Sequence, residues 1–402
     1  MWIAIKRRGR CILYKITGNT IYYGRQYIDK ADCEAVRDVL LSDLITTGPK
    51  AAELEQRLCS LTGARYAVAI SNGTTALHAV CHAIGITAGD EVIITPMTFA
   101  ASANCVLYCG GTPVFADIES DTYNISPKAV EKLITKHTRA VIAVDFTGQA
   151  CKYDELNYIC RRYNLVLIDD AAHSIGTKYN DKSIGNVADI TTFSFHPVKT
   201  VTGGEGGAIL TNNEGFYNKM KLFRSHSITR DPALMEYPTD DPYYYEQIDL
   251  GYNYRLTDFQ SALIISQLDK LEMFAKRRRE IVQQYNEAFS LLPQIIIQRE
   301  IPQSDTVRHL YVIQLNYQML QCTRREFFDA LKEDGIFCNV HYIPVYYHPH
   351  YRKLGYKKGL CPVAEKVYEG FLTLPLYYSL TDDDVKRVIK SVKQAVIKYS
   401  KD

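Results

Sequence analysis

The sequence predicts an α/β protein: a large domain on a mostly parallel seven-stranded sheet, then a smaller C-terminal α/β domain. Three observations predict it. Seven short apolar runs alternate with stretches of helical periodicity between Tyr66 and Thr211, and strands alternating with helices form parallel sheets covered on both faces. The chain has 402 residues, more than one ordinary core accommodates. Beyond a long charged amphipathic run that begins at Thr257, a second and shorter alternation of strands and helices follows.

In chain order, the first helix spans Asp29 to about Ser42, with Asp29 capping its start. A second spans Pro49 to Thr62, where proline suits the first helical position. The strands follow at Tyr66–Ile70, Glu91–Thr95, Pro113–Ala116, Ala140–Val144, Leu165–Ile168, Thr191–Phe195 and Ala208–Thr211. One helix is expected from Thr257 to about Asn286, ended by Leu292-Pro293. The last part offers strands at Leu310–Leu315 and Phe337–Tyr342 and helices at Arg324–Lys332 and Asp382–Lys398. The expected division is therefore an extension over 1–20, a large domain over 21–271, and the connecting helix with a small domain over 272–402.

Composition excludes several functions. Basic residues number 47 against 45 acidic, a formal charge of +2, and the only basic runs are Lys6–Arg10 and Lys276–Arg279. A nucleic-acid partner is not expected from that balance. No apolar run reaches the ~18 to 20 residues of a membrane-spanning helix, so no membrane partner is expected. The start, MWIAIKRRGRCILYK, is positive but has no long apolar stretch, and reads as an extension and not as a signal peptide. The 11 cysteines are an odd number without a CxxC pair, which points to a reducing, cytoplasmic setting.

Ligands of open parallel sheets bind at the carboxyl ends of the strands, so the residues after each run carry the chemistry. After the first run, Ser71-Asn72-Gly73-Thr74-Thr75 opens a helix whose free N–H groups and positive end suit a phosphate; an asparagine cap alone needs no ligand. After the fifth run comes Asp169-Asp170-Ala171-Ala172-His173. Adjacent carboxylates there are costly unless something positive meets them, although one could simply cap the turn. After the sixth run comes Ser194-Phe195-His196-Pro197-Val198-Lys199, then Gly203-Gly204-Glu205-Gly206-Gly207. A lysine desolvated beside a glycine turn has a lowered pKa and can form an imine with a carbonyl group. Phosphate cradle, carboxylate and lysine on successive strand ends form a stronger pattern than any of them alone. A dinucleotide oxidoreductase would need G-x-G-x-x-G after the first strand, and SNGTTA lacks it. His78 and His82 lie four apart, and His341, His348 and His350 cluster, but neither group has a carboxylate completing a metal set; no metal is expected.

The stretches SNGTTALHA, TPMTFAASAN, LIDDAAHS, TTFSFHPVKTVTGGEGG and LGYNYRLTDFQSAL resemble, in order, the DegT/DnrJ/StrS sugar aminotransferases. That family has the pyridoxal 5′-phosphate (PLP) fold type I and acts on nucleotide-linked sugars. The resemblance implies that Lys199 anchors PLP, that Asp170 pairs with the pyridine nitrogen and that His173 lies near the ring hydroxyl. It further implies that Phe99 stacks on the ring and that Gly73, Thr74 and Ser194 hold the phosphate. Asn253 matches a phosphate contact donated by the partner subunit, which implies a homodimer with shared sites. Arg255 beside it, with His341 and Tyr342, matches residues that approach the sugar nucleotide. Two departures are Asp169, where the family often has glutamate, and Tyr22, where proline is common.

HYIPVYYHPHYRKLGY and LPLYYSLTDDDV are most similar to members that make UDP-4-amino-4,6-dideoxy-N-acetyl-L-altrosamine for pseudaminic acid. The implied reaction moves an amino group from L-glutamate to the C4 ketone of a UDP-linked 4-keto-6-deoxy-N-acetylhexosamine of the L-altro type. A UDP-4-keto-6-deoxy sugar of the D-gluco series, another nucleotide sugar, and a non-catalytic regulator are the alternatives. Members that dehydrate the sugar replace the lysine with histidine, and here it is Lys199.

Overall fold

A computed structural model describes the side chains of residues 20–237 and 239–401, and the backbone alone of Trp2–Arg7 and Arg10–Lys15. Those two segments pair antiparallel, Trp2 opposite Lys15. The rest of the expected extension, residues 1, 8–9 and 16–19, lies outside the described residues.

The seven apolar runs form seven strands: β1 Tyr66–Ile70, β2 Glu91–Ile94, β3 Thr112–Phe115, β4 Thr138–Val144, β5 Val166–Asp170, β6 Ile190–Ser194 and β7 Gly207–Thr211. Their order across the sheet is β1-β7-β6-β5-β4-β2-β3. All neighbours are parallel except β7, which runs antiparallel to both β1 and β6. The strands are buried on both sides, and the pleat sorts them by alternate residues. Val68, Ile94, Ile142, Ile168 and Ile209 face one cluster; Ala69, Ile93, Val141, Leu167 and Leu210 face the other.

The first helices are α1 Lys30–Leu40, α2 Pro49–Thr62 and α3 Gly73–Ala83. Between the strands follow α4 Ala101–Tyr108, α5 Pro127–Leu133 and α6 Tyr153–Tyr163, and after the sheet α7 Glu214–Phe223. Asp29 caps α1, as its position suggested, accepting from the Asp32 N–H at 3.1 Å. The single helix expected over Thr257–Asn286 is instead two, α8 Asp258–Leu268 and α9 Leu271–Phe289. Lys270 breaks it, with φ −102° and ψ 1°, because its ammonium is drawn to Asp29 at 2.6 Å and Asp32 at 2.8 Å. Asp32 is fully buried and also accepts from Ser266 and Gln267, so the bend is tied to α1.

The C-terminal part builds a second, antiparallel sheet from β8 Ile295–Ile297, β9 Tyr311–Leu315 and β10 Phe371–Leu374. It packs with α9, α10 Arg324–Glu333 and α11 Asp382–Tyr399 around Ile281, Tyr285, Phe327, Val385 and Val392. Ile21 belongs to this cluster, since Ile21–Tyr22 pairs with Ile336–Phe337. The strand expected over Phe337–Tyr342 is therefore shorter than its pattern suggested: only Ile336–Phe337 pairs as a strand. Asn339 exchanges both backbone bonds with Thr373 (3.1 and 2.8 Å), and the chain then leaves the ladder to bring His341 and Tyr342 over the large sheet. Val345, Tyr346, Cys361 and Val367 pack into the core of the large sheet, so the two parts share a buried contact. Among the described residues, no helix is long and apolar enough to cross a membrane.

Candidate active site

The carboxyl edge of the sheet builds one cavity of about 720 Å³. β1 ends at Ile70, and the chain turns through Ser71 and Asn72 into α3. The Asn72 side chain accepts from the Thr75 N–H at 2.9 Å while the Thr75 hydroxyl accepts from the Asn72 N–H at 3.2 Å. This reciprocal cap uses up one end of the turn and leaves the Gly73 and Thr74 N–H groups at the positive pole of the helix. A Cβ on Gly73 would lie 3.0 Å from the Ser194 side chain, and one on Gly207 would lie 2.6 Å from the Asn72 carbonyl oxygen. The close approach excludes a side chain at Gly207 and leaves little room for one at Gly73. The result is a small cradle of backbone donors beside the Ser194 hydroxyl, a setting that suits a phosphate.

Three strands along from β1, β5 ends on Asp169 and Asp170, whose side chains point to opposite faces. Asp170 lines the cavity and is 5% exposed; Asp169 is fully buried on the other side. Burial raises the Asp170 pKa above its usual value, while a hydrogen bond from Ser102 and the charge of Lys199 act the other way. Beyond β6, the Phe195 N–H donates to the Gly206 carbonyl at 2.8 Å and the Gly203 N–H returns to the Phe195 carbonyl at 2.9 Å. These bonds fold the glycine turn back on the strand and deliver Lys199 into the cavity. Burial lowers the Lys199 pKa to about 8, and Asp170 partly opposes the drop. An amine at that value is partly unprotonated near neutral pH and is therefore a nucleophile.

His173 is 5% exposed; its Nε2 lies 3.1 Å from the Tyr342 hydroxyl, and its Nδ1 is buried without a hydrogen-bond partner. Burial and then Lys199 push it well below the usual histidine range, so it stays neutral. His341 bonds Thr373 at 2.9 Å, and burial lowers its pKa to about 4. Phe99 is 62% exposed, its ring 6.4 Å from that of Tyr342. Gly73, Thr74, Phe99, Asp170, His173, Ser194, Lys199, His341 and Tyr342 are thus brought together from across the sequence.

Two expected residues lie outside the cavity of their own chain. Asn253 is exposed and pairs through its backbone with Ser225. Arg255 is half-buried, with Nε buried and unpartnered. The Tyr254 carbonyl between them accepts from the Ser71 N–H at 2.8 Å, which fixes this segment alongside the cradle. The two histidines four apart on α3 have partners of their own: His78 contacts the Tyr254 hydroxyl at 3.2 Å and His82 meets Asp249 at 3.1 Å.

The cavity also contains residues that the strand-end rule passes over, among them Ser102, Thr98 and His309. His309 lies tilted against His173, ring centroids 4.7 Å apart. Its segment is held by three devices: the His309 N–H donates to the Thr147 carbonyl at 2.8 Å, Gly148 has no room for a side chain beside the Val307 carbonyl, and buried Arg278 donates to the Arg308, His309 and Leu376 carbonyls. Nothing in the local pattern around His309 signals this. Ser102 did lie within a quoted family stretch, three residues after Phe99, where its spacing could have been noticed.

The description "DegT/DnrJ/EryC1/StrS aminotransferase family" matches residues 26–393. The chain is 42% identical to an uncharacterized protein of Methanocaldococcus jannaschii, covering 92% of this chain and 96% of that one. It is 36% identical to the UDP-4-amino-4,6-dideoxy-N-acetyl-beta-L-altrosamine transaminase of Campylobacter jejuni, covering 92% and 95%. Helicobacter pylori PseC, an aminotransferase of pseudaminic acid biosynthesis, superimposes with a TM-score of 0.88 at 31% identity, covering 94% and 100%. The PLP form of a Streptococcus pneumoniae sugar aminotransferase gives 0.87 at 30% identity, covering 94% and 99%.

Proposed function

Because the chain belongs to the DegT/DnrJ/EryC1/StrS aminotransferase family and works with PLP, we propose that it moves an amino group from L-glutamate to the C4 ketone of a UDP-linked 4-keto-6-deoxy-N-acetylhexosamine, giving the L-altro amine used in pseudaminic acid synthesis. The observation that carries this reading is the meeting of Lys199, Asp170 and the amino end of α3 in one cavity. Support for the sugar comes from one relative whose name states it and a second named for pseudaminic acid biosynthesis, each similar over more than nine-tenths of this chain.

When bound, PLP supplies an electron-withdrawing ring that carries nitrogen between donor and acceptor. The residues of the chain do the rest. The Gly73 and Thr74 N–H groups with the Ser194 hydroxyl hold the phosphate; the orphaned Nδ1 of His173 and the hydroxyl of Tyr342 form a polar wall suited to the ring oxygen. Phe99 offers its open face for stacking. Asp170, ionised, favours a protonated ring nitrogen. Lys199 Nζ would anchor the cofactor and would take and return the proton at the substrate carbon. His341, Tyr342 and Arg255 serve the sugar nucleotide. Asn253, exposed in its own chain, reaches the phosphate of a second copy, so the working unit is a homodimer in the cytoplasm. The domain limits that go with this reading are 21–271 for the cofactor domain and 272–402 for its smaller companion.

The test supplies glutamate and either of two UDP-linked 4-ketones, the one that leads to the L-altro amine and its D-gluco counterpart. The L-altro precursor should be turned over with the higher kcat/KM. Preference for the D-gluco ketone refutes the substrate and leaves the family untouched.

A further inference from the structure

Ser102 sits in the first turn of α4 and is 1% exposed. Its Oγ lies 2.6 Å from Asp170 Oδ2 and 2.8 Å from the Thr98 hydroxyl, itself 3% exposed. The direction of this chain follows from chemistry. An ionised carboxylate only accepts, so the Ser102 proton goes to Asp170, and the Ser102 oxygen is left to accept from Thr98. Two hydroxyls in series thus point their dipoles at one oxygen of Asp170, in a dry setting where such chains reinforce one another. The other oxygen, Oδ1, has a single long bond of 3.3 Å from the Ala172 N–H and keeps room for a second donor.

We propose that Ser102, backed by Thr98, is a positioning residue that keeps the Asp170 carboxylate ionised and turns Oδ1 toward the cofactor. The need for such a device is visible in the surroundings. Asp170 is buried beside Asp169, the Cys105 thiol and the Tyr342 phenol, none of which favours its charge, and among the described residues Lys199 is its positive partner. Lys199 cannot supply that help steadily: burial brings it to about 8, so its charge is lost as the pH rises through that value. A hydroxyl donor does not depend on that state. The inference rests on the proposed role of Asp170, acting through it and not on the substrate directly.

The experiment follows PLP affinity of the full-length enzyme across pH 5 to 9, by absorbance of the bound cofactor, in wild type, Ser102→Ala, Ser102→Thr and Asp170→Asn. A hydrogen bond to a charged group of this kind moves a carboxylate by about one to two pH units. In Ser102→Ala the inflection that belongs to Asp170 should move up by that amount. It should return toward wild type in Ser102→Thr, which keeps the hydroxyl, and vanish in Asp170→Asn. An unmoved inflection in Ser102→Ala, with the Asp170→Asn inflection gone, overturns the role of Ser102 alone. Survival of every inflection in Asp170→Asn overturns the reading of Asp170 and this inference with it. If Ser102→Ala does not fold, Thr98→Val, which removes the outer donor, should shift the inflection the same way by a smaller amount; no shift overturns the proposal.

Discussion

Replacing Lys199 with methionine should stabilise the cofactor-free protein. The lysine pKa falls from 10.5 to about 8 in the folded state, chiefly through burial. Such a group is penalised wherever it is charged: the penalty is complete below pH 8, shrinks between 8 and 10.5, and is absent above. The gap of about 2.5, at ~1.36 kcal/mol per pH unit, comes to ~3 kcal/mol at pH 7, ~2 at pH 9 and under ~1 at pH 10. The attraction to Asp170 is already contained in the value of 8, so it needs no further subtraction. Lys199→Met keeps the chain length while removing the charge, and urea unfolding of the two apo proteins at these pH values reads the difference. Methionine should unfold at higher denaturant at pH 7, with the advantage fading toward pH 10. A gap of the same size at every pH would mean that better packing, not relief of a buried charge, is responsible. A less stable variant at pH 7 would refute the reasoning outright.

Two further outcomes follow from the site. Asp170→Asn should retain PLP binding at neutral pH in weakened form while transamination falls at least ~100-fold, the lower end for one positioned group; near-normal turnover contradicts its role. Mixing Lys199→Ala chains with Asn253→Ala chains should restore part of the activity that each lacks alone, because one site of the mixed dimer holds both intact residues. Heterodimers that form and remain inactive, when Asn253→Ala is impaired alone, show that Asn253 does not cross between chains.

The strands of the large sheet could be read from sequence to within one or two residues because each is a buried apolar run between polar turns. Position in the sheet was less accessible. Nothing local in Ala208–Thr211 distinguishes an antiparallel strand from its parallel neighbours, since both are buried on two faces. The break at Lys270 was hidden for a similar reason: α8 and α9 continue one another in periodicity, and the partners that bend the chain, Asp29 and Asp32, lie more than two hundred residues earlier. Phe337–Tyr342 alternates like a strand, yet the ladder gives way after two residues so that His341 and Tyr342 can reach the cavity. In the site itself, residues at strand ends were visible because topology alone sends them to one edge. Ser102 and His309 come from a helix and from the second part of the chain, and their spatial partners, Asp170 and His173, show what each does.

The antiparallel strand also constrains how the protein is made. β1 is an edge strand, and within the sheet it pairs only with β7, Tyr66 opposite Thr211 and Ile70 opposite Gly207. During synthesis from the amino end, residues 66–70 therefore wait for some 140 more before their ladder can close. Until then Tyr66–Ile70 is an unpaired apolar strand, open to pairing with the wrong chain. The turn that follows it, Ser71 to Thr74, acquires its wall only when Gly207 arrives against Asn72. The proposed phosphate cradle, written early in the sequence, gains this wall only late in the growing chain.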